Sequence, residues 1–376
     1  MQTLKTYQAG RYITQGHYKS FQPELINKNW QLEDMDVINL LGQADRQLGR
    51  LDMYSEYIPN IDLFISMHIA KEATQSSKIE GTDTNVEEAF LEREEISQKK
   101  RDDWEEVQNY IKAMNTAISM LNDLPFSSRL IRETHRILLQ GVRGAHKQPG
   151  NFRTSQNWIG GATINDATFI PPVHTSIPEL MSDIEKFAND ELNKFPDLLK
   201  IAIIHYQFET IHPFLDGNGR LGRLMITLYL VSKSILKRPI LYLSDFLEKN
   251  RGLYFDNLMM VREKGNLNQW LKFFLVGVIE TAKSSINTFD GILQLQKQVE
   301  SKIHSMGSRA DNAQKILNYL YQKPVIHAQK VSEVSRLSLA AGYKLLADFE
   351  KLGILVEVTG AQRGKLYVFK EYLKYF

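Results

Sequence analysis

One twelve-residue segment constrains this 376-residue chain more than any other: His212-Pro213-Phe214-Leu215-Asp216-Gly217-Asn218-Gly219-Arg220-Leu221-Gly222-Arg223. Residues 199–211 (LKIAIIHYQFETI) read as a helix leading into it and 221–235 (LGRLMITLYLVSKSI) as a helix leading out. The glycine-asparagine-glycine run therefore falls at a helix N-terminus, where unpaired backbone N–H groups point outward and favour an anion. Glycine lets the backbone approach a phosphate closely and take positive φ, and asparagine tolerates such conformations. Arg220 and Arg223 lie one helical turn apart, so both guanidinium groups can serve the same anion. His212 adds a group that titrates near neutrality, and Asp216 a hard oxygen ligand. A plain helix–turn–helix corner explains the glycines but not the convergence of His, Asp and two Arg.

The segment resembles the signature H-x-F-x-[DE]-G-N-G-R-x-x-R of the Fic (Fido) family at every fixed position. The resemblance implies a mainly α fold, a Fic-type helical bundle with a β-hairpin flap. It implies that His212 is the general base that deprotonates a protein hydroxyl. Asp216 would hold Mg²⁺ bridging the nucleotide phosphates. Gly217, Asn218 and Gly219 would form the anion hole, and Arg220 and Arg223 would contact the β- and γ-phosphates. The implied reaction transfers AMP from ATP to a Ser, Thr or Tyr hydroxyl. Elementary chemistry agrees: imidazole suits proton abstraction, one carboxylate plus phosphates is a normal Mg²⁺ site, and transfer at phosphorus needs mainly positioning and charge neutralisation.

Two further segments take their meaning from that resemblance. Ser76-Ser77-Lys78-Ile79-Glu80-Gly81 matches the inhibitory pattern [ST]-x-x-x-E-[GN]. Ser76 and Glu80 share one helix face, and Gly81 suits the helix's end. In the family this glutamate reaches the second motif arginine, here Arg223, and takes the space of the γ-phosphate. Residues 156–170 (QNWIGGATINDATFI), closed by Pro171-Pro172, read as a short hairpin. In the family such a flap pairs main chain to main chain with the target segment; Trp158, Thr163 and Phe169 are the candidate contacts.

Around these motifs the chain reads as helices at 34–53, 61–79, 104–121 and 128–139, after an extended arm at 1–30 lying on the body. Residues 82–103 read as a solvated helix and connector, and 141–150 as a loop. An amphipathic stretch, 265–306, precedes a hinge at Gly307-Ser308. Beyond it come helices at 310–322 and 328–335, then a third, N-capped by Ser338 and running through about Leu352. Two strands flank Gly360–Gly364. Three helices and a wing make a winged helix-turn-helix pattern. The expected division is 1–100 for the arm and inhibitory helix, 101–306 for the catalytic core, and 309–376 for the winged helix.

Residues 309–376 carry eleven Lys and Arg against six Asp and Glu, which favours DNA. Their third helix balances Lys344 and Lys351 against Asp348 and Glu350 and lacks Arg, Asn or Gln to read bases, which favours protein. Both partners stay open. With 24% charged residues, a net charge of +2 and no cysteine, the chain excludes disulfide and thiolate chemistry and steers toward neither nucleic acid nor membrane. A cytoplasmic setting is expected, with a hydroxyl-bearing protein, itself included, as substrate; a homodimer is left open. De-AMPylation, transfer of UMP, phosphate or phosphocholine, and a DNA-binding regulator with a Fic sensor body are the alternatives. His205 reads as a packed or orienting group, the other histidines, His135 among them, as bland, and Lys71 and Arg153 as charges on solvated faces.

Overall fold

The computed structural model describes residues 2–376 apart from residues 59, 143, 145 and 361–363. The first thirty residues form β1 (Gln2–Thr3), β2 (Gly10–Gln15), β3 (Tyr18–Pro23) and β4 (Trp30–Gln31). β2 and β3 pair antiparallel, and β1 pairs parallel with β4. The expected arm is thus a small β layer that lies on the body. The Ile26 amide donates to the Asp183 carboxylate at 2.6 Å, and the Phe21 amide to the Ile170 carbonyl at 2.9 Å.

The body is helical: α1 (Met35–Tyr57), α2 (Asp62–Ile79), α3 (Arg101–Met120), α4 (Ser128–Leu138), α5 (Ile177–Asn189), α6 (Asp197–Ile211), α7 (Asn218–Ser232), α8 (Ser244–Lys249), α9 (Arg251–Lys264) and α10 (Leu267–His304). α6 is apolar around most of its circumference, and every residue from Leu198 to Ile211 is buried, as such a helix must be. Some of its polar side chains find partners inside. His205 contacts the Gly222 carbonyl at 3.0 Å and the Tyr254 hydroxyl at 2.9 Å, the orienting role expected of it. Trp270 Nε1 of α10 donates to the Ala202 carbonyl at 2.8 Å. Among the described residues no helix is long and apolar enough to cross a membrane.

The charged segment 82–103 departs from expectation. It forms three single 3₁₀ turns at residues 88–90, 93–95 and 98–100 before α3 begins. Local capping stops each turn from propagating. Asn85 and Glu88 exchange side-chain and backbone bonds, and Glu92 and Glu95 form a capping box. Trp104 Nε1 and Gln108 Nε2 then take the carbonyls of Glu88 and Ala89 that a continuing helix would use. The flap is likewise reduced. Ile159 and Phe169 form one antiparallel bridge, with exchanged bonds of 2.8 and 3.1 Å, and no strand extends from it.

The C-terminal residues form α11 (Ala310–Gln322), β5 (Val325–His327), α12 (Ala328–Ser335), α13 (Leu339–Lys351), β6 (Val356–Glu357), β7 (Leu366–Val368) and α14 (Lys370–Leu373). Ser338 caps α13 by accepting from the Ala341 amide at 3.3 Å. The strands pair antiparallel in the order β5-β7-β6. β5, a three-residue strand directly after Pro324, is too short to show a period and goes unread in the sequence. Gly307-Ser308 begins a single 3₁₀ turn, and residues 361–363 of the expected wing turn lie outside the described residues. These elements pack directly on α2. Phe64 meets Tyr321 with ring centroids 5.1 Å apart, and the Ser66 hydroxyl donates to the Gln322 carbonyl at 3.2 Å.

Candidate active site

α6 ends where Pro213 cannot continue it, and its last cap, His212, takes the left-handed conformation at φ 48°. A non-glycine residue holds that conformation only when its surroundings over-determine it. Here Arg153 Nε donates to the His212 carbonyl at 3.0 Å, and Asn157 Nδ2 donates to the same oxygen at 3.2 Å. The imidazole is half-buried. Its Nδ1 is buried without a partner. Burial, then the Arg262 and Arg153 guanidinium groups, pushes the imidazole down to about 4, so it is neutral at physiological pH and able to accept a proton.

Residues 213–217 wrap into a tight loop whose geometry is fixed by side chains. The Asn218 amide clasps Phe214, accepting from its N–H and donating to its carbonyl, each at 2.9 Å. Asn218 therefore shapes the loop, and only its backbone is left for an anion. Gly217, at φ 73°, supplies the left-handed residue that starts α7. His135 of α4 stacks on the Phe214 ring with centroids 3.7 Å apart. Its Nδ1 accepts from the Gly150 amide at 2.8 Å, so Nε2 carries the proton and donates to the Asp216 carbonyl at 2.9 Å. The bland reading of His135 is corrected: it is a positioning residue for the loop.

Asp216 accepts from the Gly217 amide at 2.6 Å and keeps its side chain 42% exposed. Among the described residues no three-residue metal cluster exists. A lone, accessible carboxylate beside an anion site fits Mg²⁺, which keeps most of its shell as water and phosphate oxygen. Asp216 is the residue that would hold it, and the ion would neutralise phosphate charge.

The two arginines are both engaged by carboxylates. Arg220 donates to Glu106 of α3 at 2.7 Å, with both side chains buried, and stands 3.7 Å from Asp216. Arg223 makes three hydrogen bonds to α2 and the residue that caps it. Its Nε donates to the Ser76 hydroxyl at 2.9 Å, and its Nη2 to the Ser76 carbonyl at 2.8 Å and to Glu80 Oε1 at 2.7 Å. Glu80 caps the C-terminus of α2. There the Gly81 amide bonds to the Lys78 carbonyl and the Thr82 amide to the Ser77 carbonyl, a Schellman closure in which Gly81 takes φ 97°. A Cβ added to Gly219 would lie 2.3 Å from Glu80 Oε1, so this carboxylate already sits over the first turn of α7. Burial works to raise the Glu80 carboxyl, but Arg223, Arg220 and His212 outweigh it and hold it below its ordinary value.

Trp158 is exposed beside the Ile159 bridge and available to a target. Thr163 is exposed, but its hydroxyl bonds Asp166 within the flap turn at 2.5 Å. Phe169 is not a target contact: 2% exposed, it packs on Phe21 and lies under the Arg262 guanidinium, 4.0 Å from its ring centroid. Arg153 and Lys71 also depart from expectation. Arg153 is 2% exposed and donates to the carbonyls of Ser155, Ile211, His212 and Pro172. Burial pushes it down to about 10. Lys71 is half-buried, 3.7 Å from Asp245. No spacing in the sequence marks Glu106, Arg153, Arg262 or His135, because their partners lie on distant elements or are backbone carbonyls.

Residues 38–119 match the profile of the Fic/DOC family N-terminal region, and residues 125–230 match that of the Fic/DOC family, together half of the chain. A probable protein adenylyltransferase of Aquifex aeolicus is 30% identical over 200 residues, which are 50% of this chain and 58% of that protein. The protein adenylyltransferase fic-1 of Caenorhabditis briggsae is 26% identical over 196 residues, 50% of this chain and 34% of that protein. The match thus spans well under two thirds of each relative's length. A Fic family protein of Desulfovibrio desulfuricans has the same fold at a TM-score of 0.58 and 18% identity, covering 90% of this chain and 97% of that one.

Proposed function

The chain belongs to the Fic/DOC family, and from that premise we propose that it is an autoinhibited protein adenylyltransferase. A target Ser, Thr or Tyr hydroxyl gives its proton to the neutral His212 imidazole. Its oxygen bonds to the α-phosphorus of ATP, the bond from that phosphorus to the β-phosphate oxygen breaks, and pyrophosphate leaves. The first turn of α7 faces the phosphates with the backbone N–H groups of Asn218 and Gly219, while that of Gly217 is held by Asp216. Asp216 would hold Mg²⁺ there. The observation that carries the autoinhibited reading is the contact of Glu80 with Arg223 above Gly219, which fills the place of a terminal phosphate.

The exposed Trp158 and the flap edge at Ile159 suit a target presented as an extended segment. Incubating the protein with labelled ATP and a lysate of its own cell type, then identifying modified peptides by mass spectrometry, tests the reading. AMP adducts on hydroxyl side chains are expected. A Glu80→Gly protein that incorporates no AMP into any protein, itself included, refutes it.

The C-terminal elements support a winged-helix reading, with α12 and α13 as the helix pair and β6 and β7 as the wing. Leu339 and Tyr343 of α13 and Val356 and Val358 at the wing expose 38–50% of their surface. Apolar side chains on those elements favour docking to protein over reading of DNA bases.

A further inference from the structure

Helix α4 buries one face in the body and leaves a row of guanidinium groups on the other. Arg129, Arg132 and Arg136 are exposed, while Leu130, Ile131, Thr134 and His135 between them are buried. Steps of three and four keep the arginines on one side of the helix, over about 10 Å at a rise of 1.5 Å per residue. They line a groove of about 670 Å³ whose other wall is the loop of residues 149–152.

The groove stays positive after the carboxylates around it are counted. Glu133 is the acidic residue among those that line it, and Arg136 holds both its oxygens at 2.5 to 3.1 Å. Glu185 of α5 stands beside it, accepting from the Ser128 amide at the start of α4 at 2.9 Å. Arg129 forms no ion pair among the described residues. Arg132 binds neutral acceptors only, its Nε donating to the Gly150 carbonyl at 2.8 Å and its Nη2 to Asn151 Oδ1 at 3.0 Å. Two guanidinium groups therefore face the groove without an anion, and one of them is already fixed in place. Planar guanidinium groups suit carboxylates, which they bind in pairs of parallel bonds.

The groove is continuous with the flap. Phe152 in its wall meets Phe214 of the motif loop with centroids 5.3 Å apart, and the next residue, Arg153, joins the two ends of the flap. Trp158 follows six residues after Phe152, a reach of at most about 20 Å of extended chain. A nucleic-acid strand is the other polyanion for such a face, but its bases need an open aromatic ring to stack on. Phe152 is engaged by the Arg132 guanidinium, 5.6 Å from its centroid, as well as by Phe214. We propose that the face formed by Arg129, Arg132 and Arg136 is a docking groove for an acidic segment of the target protein, close in sequence to the hydroxyl that is modified. Its role in target choice rests on the adenylyltransferase reading above; its binding of acidic peptide does not.

Fluorescence anisotropy of a labelled hexaglutamate peptide titrated with the full chain tests the groove, with hexaglutamine and hexalysine peptides and a short DNA duplex for comparison. Hexaglutamate should bind at micromolar concentration in low salt and weaken as salt rises, while the other two peptides should not bind. Arg129→Gln and Arg136→Gln should each weaken binding several-fold and the double variant should abolish it, while thermal melting confirms that the variants fold. Arg132 is left in place because it also braces the 149–152 loop. In Glu80→Gly, serine, threonine or tyrosine peptides flanked by glutamates should be modified with a several-fold lower KM than their glutamine counterparts, at similar kcat. That difference should vanish when Arg129→Gln and Arg136→Gln are added. No binding of hexaglutamate, or unchanged binding in the folded double variant, overturns the groove. So does DNA that binds more tightly than hexaglutamate and is lost in the same variants. Equal KM for acidic and neutral peptides overturns its role in target choice. Absence of AMP transfer to every peptide, with hexaglutamate binding intact, is instead a failure of the adenylyltransferase reading.

Discussion

Glu80 Oε1 stands 2.7 Å from Arg223 Nη2 across 143 residues of chain, and the same guanidinium donates to the hydroxyl and carbonyl oxygens of Ser76. The arginine is 1% exposed and the glutamate 41%. The pair is therefore asymmetric: Arg223 cannot leave without exposing a buried charge, whereas Glu80 can swing into solvent. Release of the proposed restraint belongs to the glutamate.

Glu80→Gly should accordingly raise self-modification by an order of magnitude or more, about 1.4 kcal/mol of barrier for each factor of ten. Arg223→Ala should not mimic the gain, since on the proposed reading it also deletes a phosphate ligand. Incorporation of labelled AMP, compared between the two variants and the parent, reads this directly. Equal incorporation in parent and Glu80→Gly would reduce Ser76–Gly81 to a helix terminus. If removal of AMP is instead the dominant activity, Glu80→Gly should lose removal as transfer appears.

Glu106 and Arg220 form a second pair at 2.7 Å, but with both side chains buried. Removing one partner of such a pair leaves an uncompensated charge, which costs about 3–5 kcal/mol. Glu106→Ala should lower the melting temperature by many degrees and weaken ATP binding by letting Arg220 drift. Glu106→Gln, which keeps an acceptor, should do less of both. Asp216→Ala, at an exposed 3.7 Å contact with Arg220, should leave melting nearly unchanged while reducing Mg²⁺-dependent nucleotide affinity. A Glu106→Ala protein as stable as the parent would show that Arg220 finds another partner.

The motif loop was legible in the sequence because its chemistry is compressed into twelve contiguous residues, and the α2 terminus because Ser76, Glu80 and Gly81 fall at helical spacing. The helices of the body were legible from their period, to within a few residues at each end. What escaped was set by tertiary partners. Glu106 lies on α3 among other acidic residues, and nothing local tells it apart from them. Arg153 looks solvated until the carbonyls it meets are brought around it. The 82–103 segment has helix-forming composition, yet Asn85–Glu88 and Glu92–Glu95 capping breaks it into single turns.

Four histidines are held neutral by burial: His212 and His135 are pushed down to about 4, and His68 and His205 to about 3. Unfolded imidazoles protonate near 6.5. Between that value and the folded ones the unfolded chain binds protons that the folded chain refuses, so stability rises with pH and is lost as pH falls. Glu209, pushed up to about 7 by burial, acts in the opposite direction, losing its contribution as pH rises through 7. Glu72, Asp45 and Asp183, also raised by burial, act with Glu209, but the four histidines dominate between pH 7 and pH 5, so melting temperature should fall over that range. His68→Phe, placed among the Phe289 and Phe376 rings, should shrink that fall. A flat melting profile over this range would contradict the neutral assignments.

The C-terminal elements give a salt test. If α13 and the wing engage duplex DNA, the contact rests on phosphates, because Lys344 and Lys351 are the only basic side chains of α13 and the exposed Leu339 and Tyr343 offer little to base edges. The full chain should then retard duplex DNA only at low salt and release it as salt rises. Sequence-selective binding that survives high salt would contradict the protein-docking reading.

Arg153 joins the base to the flap. Its guanidinium reaches Ser155 at 2.9 Å and Pro172 at 2.5 Å, on either side of the flap, and His212 at 3.0 Å and Ile211 at 3.4 Å at the end of α6. Carbonyls at a helix C-terminus carry partial negative charge, which is how the cation stays buried with carbonyls for partners. Removing it leaves the left-handed His212 without its main brace and frees both ends of the flap. Arg153→Met should therefore lower transfer steeply through kcat while ATP affinity, which the proposed function places on α7, changes little. Arg153→Lys should rescue poorly, since one ammonium cannot span four acceptors fixed by a planar fork. Equal activity of the lysine variant and the parent would mean that charge alone, and not the geometry of the fork, holds His212 in place.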